Sequence, residues 1–340
     1  MKATIKILSF ILAVSFFSSC TSNTTEETKS SVEDVKKPSV LAPDFKSVLA
    51  YEKIKEQLDF GVRLPNTLGH KKCGDWIVET MRSYGLEVIE QEFEAYSFKG
   101  TSLDARNIIA SYNPTAKKRV LLAAHWDTRE VADQDDERKN EPILGANDGA
   151  SGVAILLQIA ETIAQSADKP NIGIDYIFFD AEDGGKPESF EGNALNDYGG
   201  YLMGSDYWAK NPHIENYTAF YGVLLDMVGA KGATFYKDKI SMRVAPSVVN
   251  KIWNVASAKG YSSFFLSAIG GDILDDHIPV IQHRNIPMID IIDQKLGGNQ
   301  TFFDHWHTHD DNLDAIDVNT LEAVGETMIQ TLYEENGVIQ

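Results

Sequence analysis

Cysteine is nearly absent: Cys20 and Cys73 are the only two in 340 residues. If Cys20 is modified, no disulfide can form, even in a compartment that would permit one. Cys73 falls on a helical apolar face with Trp76, Ile77 and Met81, which reads as core, not as a nucleophile. Basic charge is also scarce, with 31 Lys and Arg against 50 Asp and Glu and a net charge of −19. No basic patch with interleaved aromatics occurs, which argues against nucleic acid as a partner. An acidic surface keeps a protein soluble and mildly favours cationic groups such as free amino termini. No internal repeat appears, and no second linker follows the first.

Long apolar runs are missing except at the start. Lys2 and Lys6 precede an apolar stretch from Ile7 to Phe17, and Ser18, Ser19 and Cys20 follow. That pattern predicts a secretory signal over 1–19, too short to span a bilayer. Cys20 matches the position of a lipidated cysteine, which would anchor the chain without a spanning segment. Residues 20–45 are polar and contain proline, as expected of a flexible tether. Residues 46–340 remain for one α/β domain with a substantial core. The expected location is the periplasm, with contact to the membrane through the lipid alone.

Strand-like and helical segments alternate beyond the tether. Strands are predicted over 106–112, 120–124, 174–179, 223–228 and 287–292. Helices are predicted over 150–164, 196–210, 246–259 and 318–335. Near-continuous apolar strands separated by helices imply a largely parallel sheet covered on both faces. Ligands of such sheets sit beyond the carboxyl ends of the strands. His125 and Asp127 follow one predicted strand, and Asp180, Glu182 and Asp183 follow another. Asp226, Asp290 and Asp293 lie in or after two more, so four segments are expected to converge on one edge.

Three further segments join them. Asp148 stands in a glycine-rich turn, GANDGASG, and taken alone reads as a helix N-cap. The stretch DDHIP opens with Asp275, where acids suit a helix start. The stretch FDHWHTHDDN places His305, His307 and His309 in alternation, three of the eight histidines of the chain. Alternation would put all three on one side of an extended segment. Like charges crowded at a strand mouth are relieved by a divalent cation. Zinc takes His nitrogen and carboxylate oxygen and keeps one position open in catalytic sites. Asp148, Asp183 and His307 meet that description, with Glu182 beside them free to carry a proton.

The motifs HWD at 125–127, GANDGASGVA at 145–154, FFDAED at 178–183, LLDMVGA at 224–230, DDHIP at 275–279 and HWHTHDDN at 305–312 occur in that order. Together they resemble the zinc aminopeptidase-like exopeptidases, and within them the glutaminyl-peptide cyclotransferases, including bacterial periplasmic ones. The resemblance covers most of residues 46–338. It implies a three-layer α/β/α sandwich with a twisted, mixed, mostly parallel central sheet. It implies zinc on Asp148, Asp183 and His307, one ion expected with two not excluded. Glu182 would transfer protons, with Asp226 and Asp275 in a carboxylate network behind it. Trp306 and Phe302 would wall the pocket. His125 and Asp127 would hold a second metal or support the first.

The implied reaction is cyclisation of an N-terminal glutamine of a peptide or protein to pyroglutamate, with release of ammonia. Two other readings stand beside it. One is a dinuclear zinc aminopeptidase, for which His125 and Asp226 are the right residue types. The other is a non-catalytic peptide-binding lipoprotein. Two departures from the family pattern matter. Many relatives have Glu-Glu where this chain has Glu182-Asp183, one methylene shorter. Animal cyclases carry His at the position aligned with Asp290. The insert from Lys186 to Asn196 reads either as a loop over the site or as a surface excursion.

Overall fold

Apolar segments of alternating facing build the centre of the molecule. In β3 (Arg119–His125), Val120, Leu122 and Ala124 face one apolar cluster, while Leu121 and Ala123 face another. β4 (Gly173–Phe179) and β5 (Tyr221–Asp226) are buried along their whole length and split the same way. A strand buried on both faces needs a helical layer on each side. The first cluster takes in α1 (Ser47–Asp59), α2 (Leu68–Ser83), α3 (Ala150–Gln165), α6 (Pro246–Ala258) and α8 (Val318–Glu334). The second takes in α4 (Met203–Lys210) and α7 (His277–Arg284). The result is a three-layer α/β/α sandwich, as expected.

This is a computed structural model that describes residues 40–187, 189–192, 196–297 and 301–335. The signal at 1–19, Cys20 and the tether up to residue 39 lie outside the described residues. So do positions 188 and 193–195 of the insert. Among the described residues no helix is long and apolar enough to cross a membrane.

The sheet runs β1-β2-β4-β3-β5-β8, with β1 (Glu87–Tyr96), β2 (Ser102–Tyr112) and β8 (Met288–Ile292) completing it. β4, β3, β5 and β8 are mutually parallel, and β1 and β2 pair antiparallel. A second, two-stranded sheet pairs β6 (Phe235–Lys237) with β7 (Phe265–Ile269), and α5 (Lys239–Val244) follows β6. The sequence reading lacked β1, β6 and β7. β1 is an edge strand, EVIEQEFEAY, whose glutamates are mostly exposed. Charge on an edge prevents pairing with other chains but hides the strand from an apolar pattern.

Two predicted boundaries shift for backbone reasons. The helix expected over 196–210 begins only at Met203, because Gly199, Gly200 and Leu202 all take positive φ. The strand expected over 223–228 stops at Asp226, because Met227 turns to φ +47°. The helix carrying Cys73 forms as expected, and Cys73 is fully buried. Burial pushes its thiol up to about 12, so it is unreactive at neutral pH.

Candidate active site

The carboxyl ends of β3, β4 and β5 deliver the first set of side chains. His125 ends β3 and Asp226 ends β5, and the two strands are hydrogen-bonded neighbours. His125 Nε2 therefore lies 3.2 Å from Asp226 Oδ1, and it lies 3.0 Å from Asp148 Oδ1. Asp127 lies two residues past β3. Its two oxygens accept the backbone N–H groups of Glu182 and Asp183 at 3.0 and 3.1 Å. That clamp holds the acidic turn after β4 in place. Asp127 Oδ1 also lies 3.4 Å from His125 Nδ1.

Of the three carboxylates after β4, Asp180 turns away from the site. It accepts from the Arg106 N–H at 2.6 Å and meets His70 Nε2 at 2.8 Å, and the His70 ring stacks on Trp126. Ala181 then takes φ +55°, which re-aims the chain so that Glu182 and Asp183 reach the cavity. Ala181, Met227 and His307 all have positive φ and all border site residues. Such strain collects where geometry is over-determined by its surroundings.

Asp148 is not the N-cap of α3. Gly149 holds that position with φ +90°, without a side-chain cap bond. A Cβ at Gly149 would lie 2.9 Å from the Asp127 carbonyl oxygen. Asp148 is freed for other work by Asp311, whose oxygens accept the N–H groups of Asn147 and Asp148 at 2.7 and 3.0 Å. Burial and the nearby charge of Asp148 push the Asp311 carboxyl up to about 8, against the pull of those two N–H groups.

The histidine segment is not extended. It runs through turns, and His307 sits at φ +57°. Only His307 enters the site: Nε2 lies 3.3 Å from Asp183 Oδ1 and 3.7 Å from Asp148 Oδ2. His309 instead pairs with Asp135 at 3.0 Å, and His305 is partly exposed 4.0 Å from Asp310. Asp293 is also placed elsewhere, accepting from the Thr234 N–H and pairing with Lys295. Asp290 is buried in β8, and burial, then Asp275, holds its carboxyl well above the usual range.

Two groups of ligand-type atoms result, each within 4.8 Å: Asp148, Asp183 and His307, and His125, Asp148 and Asp226. All five residues are buried. Asp183 Oδ2 is buried without any protein hydrogen-bond partner. A buried carboxylate with one oxygen unpartnered and the other 3.3 Å from an imidazole nitrogen fits a divalent cation such as zinc.

These groups open onto a cavity of about 230 Å³. Glu182, Asp226 and Asp275 line it together with Ile273, Leu274, Phe302 and Trp306. Trp306 stacks on the His307 ring at 3.7 Å, and Phe302 packs on Trp306 at 4.9 Å. Burial, and then the charges of Asp183, Asp276 and Asp275, raise Glu182 well above its ordinary pKa, with His125 opposing. Burial and Asp226 likewise raise Asp275. A larger concavity of about 640 Å³ between α2 and the β1–β2 hairpin holds neither ligand group, so size does not mark the site.

Sequence reasoning missed Arg129, Asp133 and Tyr201. Tyr201 lines the cavity, and the Arg129 guanidinium lies 5.3 Å from its ring. Arg129 is fully buried and pairs with Asp133. The pair's spacing of four residues was the one available signal.

Residues 107–332 match peptidase family M28. The chain is 46% identical to a Zn-dependent exopeptidase from Parabacteroides distasonis, with a TM-score of 0.83 over 86% of this chain and 99% of that one. It is 47% identical to the glutaminyl cyclase of Porphyromonas gingivalis, with a TM-score of 0.80 and the same coverage. It is 28% identical over 282 residues to the glutaminyl-peptide cyclotransferase of Drosophila melanogaster, covering 76% of this chain and 73% of that protein.

Proposed function

The chain belongs to peptidase family M28, and on that footing we propose that it cyclises the N-terminal glutamine of peptides and proteins to pyroglutamate. The observation that carries this is Asp275. It is buried, its Oδ2 has no protein partner, and it lines the same cavity as Glu182 and Asp226. Peptide hydrolysis has no evident need of that third carboxyl group.

Asp148, Asp183 and His307 would hold one zinc ion, which supplies polarisation of the side-chain amide carbonyl and stabilisation of the oxyanion. Glu182 accepts a proton from the neutral α-amine as its nitrogen attacks the side-chain carbonyl carbon. A C–N bond forms and the lactam closes. Glu182 then returns the proton to the departing amide nitrogen, which leaves as ammonia. A carboxyl with a raised pKa can both accept and release that proton near neutral pH. Burial, and then the charge of Asp226, raise Asp275 well above the usual carboxylate range, which favours its protonated form in that cavity. Trp306 and Phe302 hold the glutamine folded, because both reacting groups belong to one residue and need only orientation.

A second reading has a specific support. His125, Asp148 and Asp226 form a ligand group of their own, which would suit the second ion of an aminopeptidase. Incubation with a short peptide that begins with Gln separates the two. Loss of one ammonia with every peptide bond intact is the expected product by mass, whereas free glutamine would establish hydrolysis.

The proposal extends to location. The opening of the chain supports export and lipid attachment at Cys20, with the catalytic domain tethered in the periplasm among proteins that begin with Gln. Cys20→Ala should move the protein from the membrane fraction to the soluble one. An unchanged distribution would remove the anchor.

A further inference from the structure

Arg129 makes two sets of bonds at once. Its Nη1 donates to Asp183 Oδ1 at 3.1 Å and to the Asp183 carbonyl at 3.2 Å. Its Nε and Nη2 donate to the two oxygens of Asp133 at 2.7 and 3.1 Å. Asp133 Oδ1 in turn lies 3.2 Å from His307 Nδ1. The order Asp183, Arg129, Asp133, His307 is therefore a continuous path through side chains. Its two ends, Asp183 and His307, are two members of the ligand group whose atoms lie within 4.8 Å of one another and of Asp148, and Asp183 Oδ2 is left without a protein partner.

Each contact has a chemical consequence. A guanidinium on Oδ1 occupies one carboxylate oxygen and leaves the other as the only ligand atom. A carboxylate beside Nδ1 favours the tautomer with its proton there, so that Nε2 presents a lone pair. Asp183 is a short side chain, and the Arg129 Nη1, itself fixed by the fork on Asp133, limits the freedom it would otherwise have to turn away.

We propose that Arg129 and Asp133 are positioning residues of the zinc site, holding Asp183 as a single-oxygen ligand and His307 in its Nε2-ligating tautomer. This rests on the zinc reading above. It also sets two effects of Arg129 against each other. As a positive charge beside the ligands, Arg129 weakens the binding of a dication. As a fork, it preorganises Asp183 and strengthens binding. Replacing it by a neutral residue of similar length separates the two.

The test measures zinc affinity by chelator competition on the metal-free protein, for the wild type, Arg129→Met, Arg129→Lys and Asp133→Asn. Cobalt absorption spectra report ligand geometry, and melting of the metal-free forms reports folding. Arg129→Met and Asp133→Asn should each bind zinc about 10–100-fold more weakly, with shifted cobalt bands. Arg129→Lys keeps the charge without the fork and should also bind more weakly than the wild type. Zinc bound by folded Arg129→Met as tightly as by the wild type, or more tightly, with unchanged cobalt bands, would overturn the proposal. If Arg129→Met does not fold, Arg129→Lys and Asp133→Asn decide the matter by the same readouts. A wild type that binds zinc but leaves Gln peptides open would sink the cyclase reading and leave this one standing. A wild type that takes up no zinc ends both.

Discussion

His125 Nε2 and Asp226 Oδ1 meet at 3.2 Å across the ends of two adjacent parallel strands. The register that pairs Leu122 with Val223 and Ala123 with Leu224 brings these two side chains level. Asp226 thus touches His125 and also lines the cavity it shares with Asp275 and Glu182. A direct contact of this kind keeps His125 and Asp226 engaged with each other.

The cyclase reading carries an expected metal content of one zinc per chain, on Asp148, Asp183 and His307. Elemental analysis of the folded protein checks it. Chelation should abolish cyclisation and zinc should restore it. Two zinc ions per chain would move the assignment to the aminopeptidase.

Glu182→Gln should keep zinc and fold normally, since the clamp from Asp127 binds the Glu182 backbone and not its side chain. Turnover should fall by about 10²–10⁴-fold, the usual worth of a general acid–base group. Full activity with Gln at this position would remove Glu182 from the proton path.

Phe302 packs on Trp306 and not on a ligand. Phe302→Ala should therefore raise KM more than it lowers kcat, with kcat/KM down roughly tenfold for about 1.4 kcal/mol of lost contact. Steady-state kinetics with a Gln-initiated peptide measure this. A fall confined to kcat would mean that Phe302 serves the chemistry instead.

Two buried neighbours give the pH dependence of stability. Burial pushes Asp276 up to about 7 from 3.8, so its contribution is complete below pH 3.8 and is lost as pH rises through about 7. Burial lowers His277 from 6.5 to about 4, so its contribution is complete above pH 6.5 and is lost as pH falls through about 4. Between about pH 4 and 6.5 the two slopes oppose. Asp276→Asn leaves the His277 slope alone. Relative to the wild type, this variant should lose stability on acidification across that window, by roughly 1.4 kcal/mol per pH unit. Melting curves from pH 4 to 8 test it, and parallel curves for the two proteins would refute it.

Much of the site is legible in the chain's motifs. Asp148, Asp183 and His307 come together as the order of motifs implied, and Glu182, Asp226 and Asp275 share one cavity with Trp306 and Phe302. The ends of β3 and β4 are readable because their apolar runs give way to His125 and Asp180, whereas β8 runs on through Asp290. Facing is not readable. Asp180, Asp293, His305 and His309 are the same residue types in the same segments, yet each is turned to another partner. Positive φ at Ala181, Met227 and His307 decides which neighbour points inward, and nothing in those residue types announces it.

The sequence by itself determined the layers, the parallel core and the ligand types, because these follow from apolar periodicity and motif chemistry. Only the tertiary structure decided which carboxylates gather with His125 and His307, which clamp backbone N–H groups and which pair elsewhere. Arg129 and Asp133 show why. They sit in a stretch without motif or apolar pattern, TREVADQDD, and acquire their place through contacts with Asp183 and His307, 54 and 174 positions further along the chain. Such contacts depend on the packing of distant segments, which no local pattern encodes.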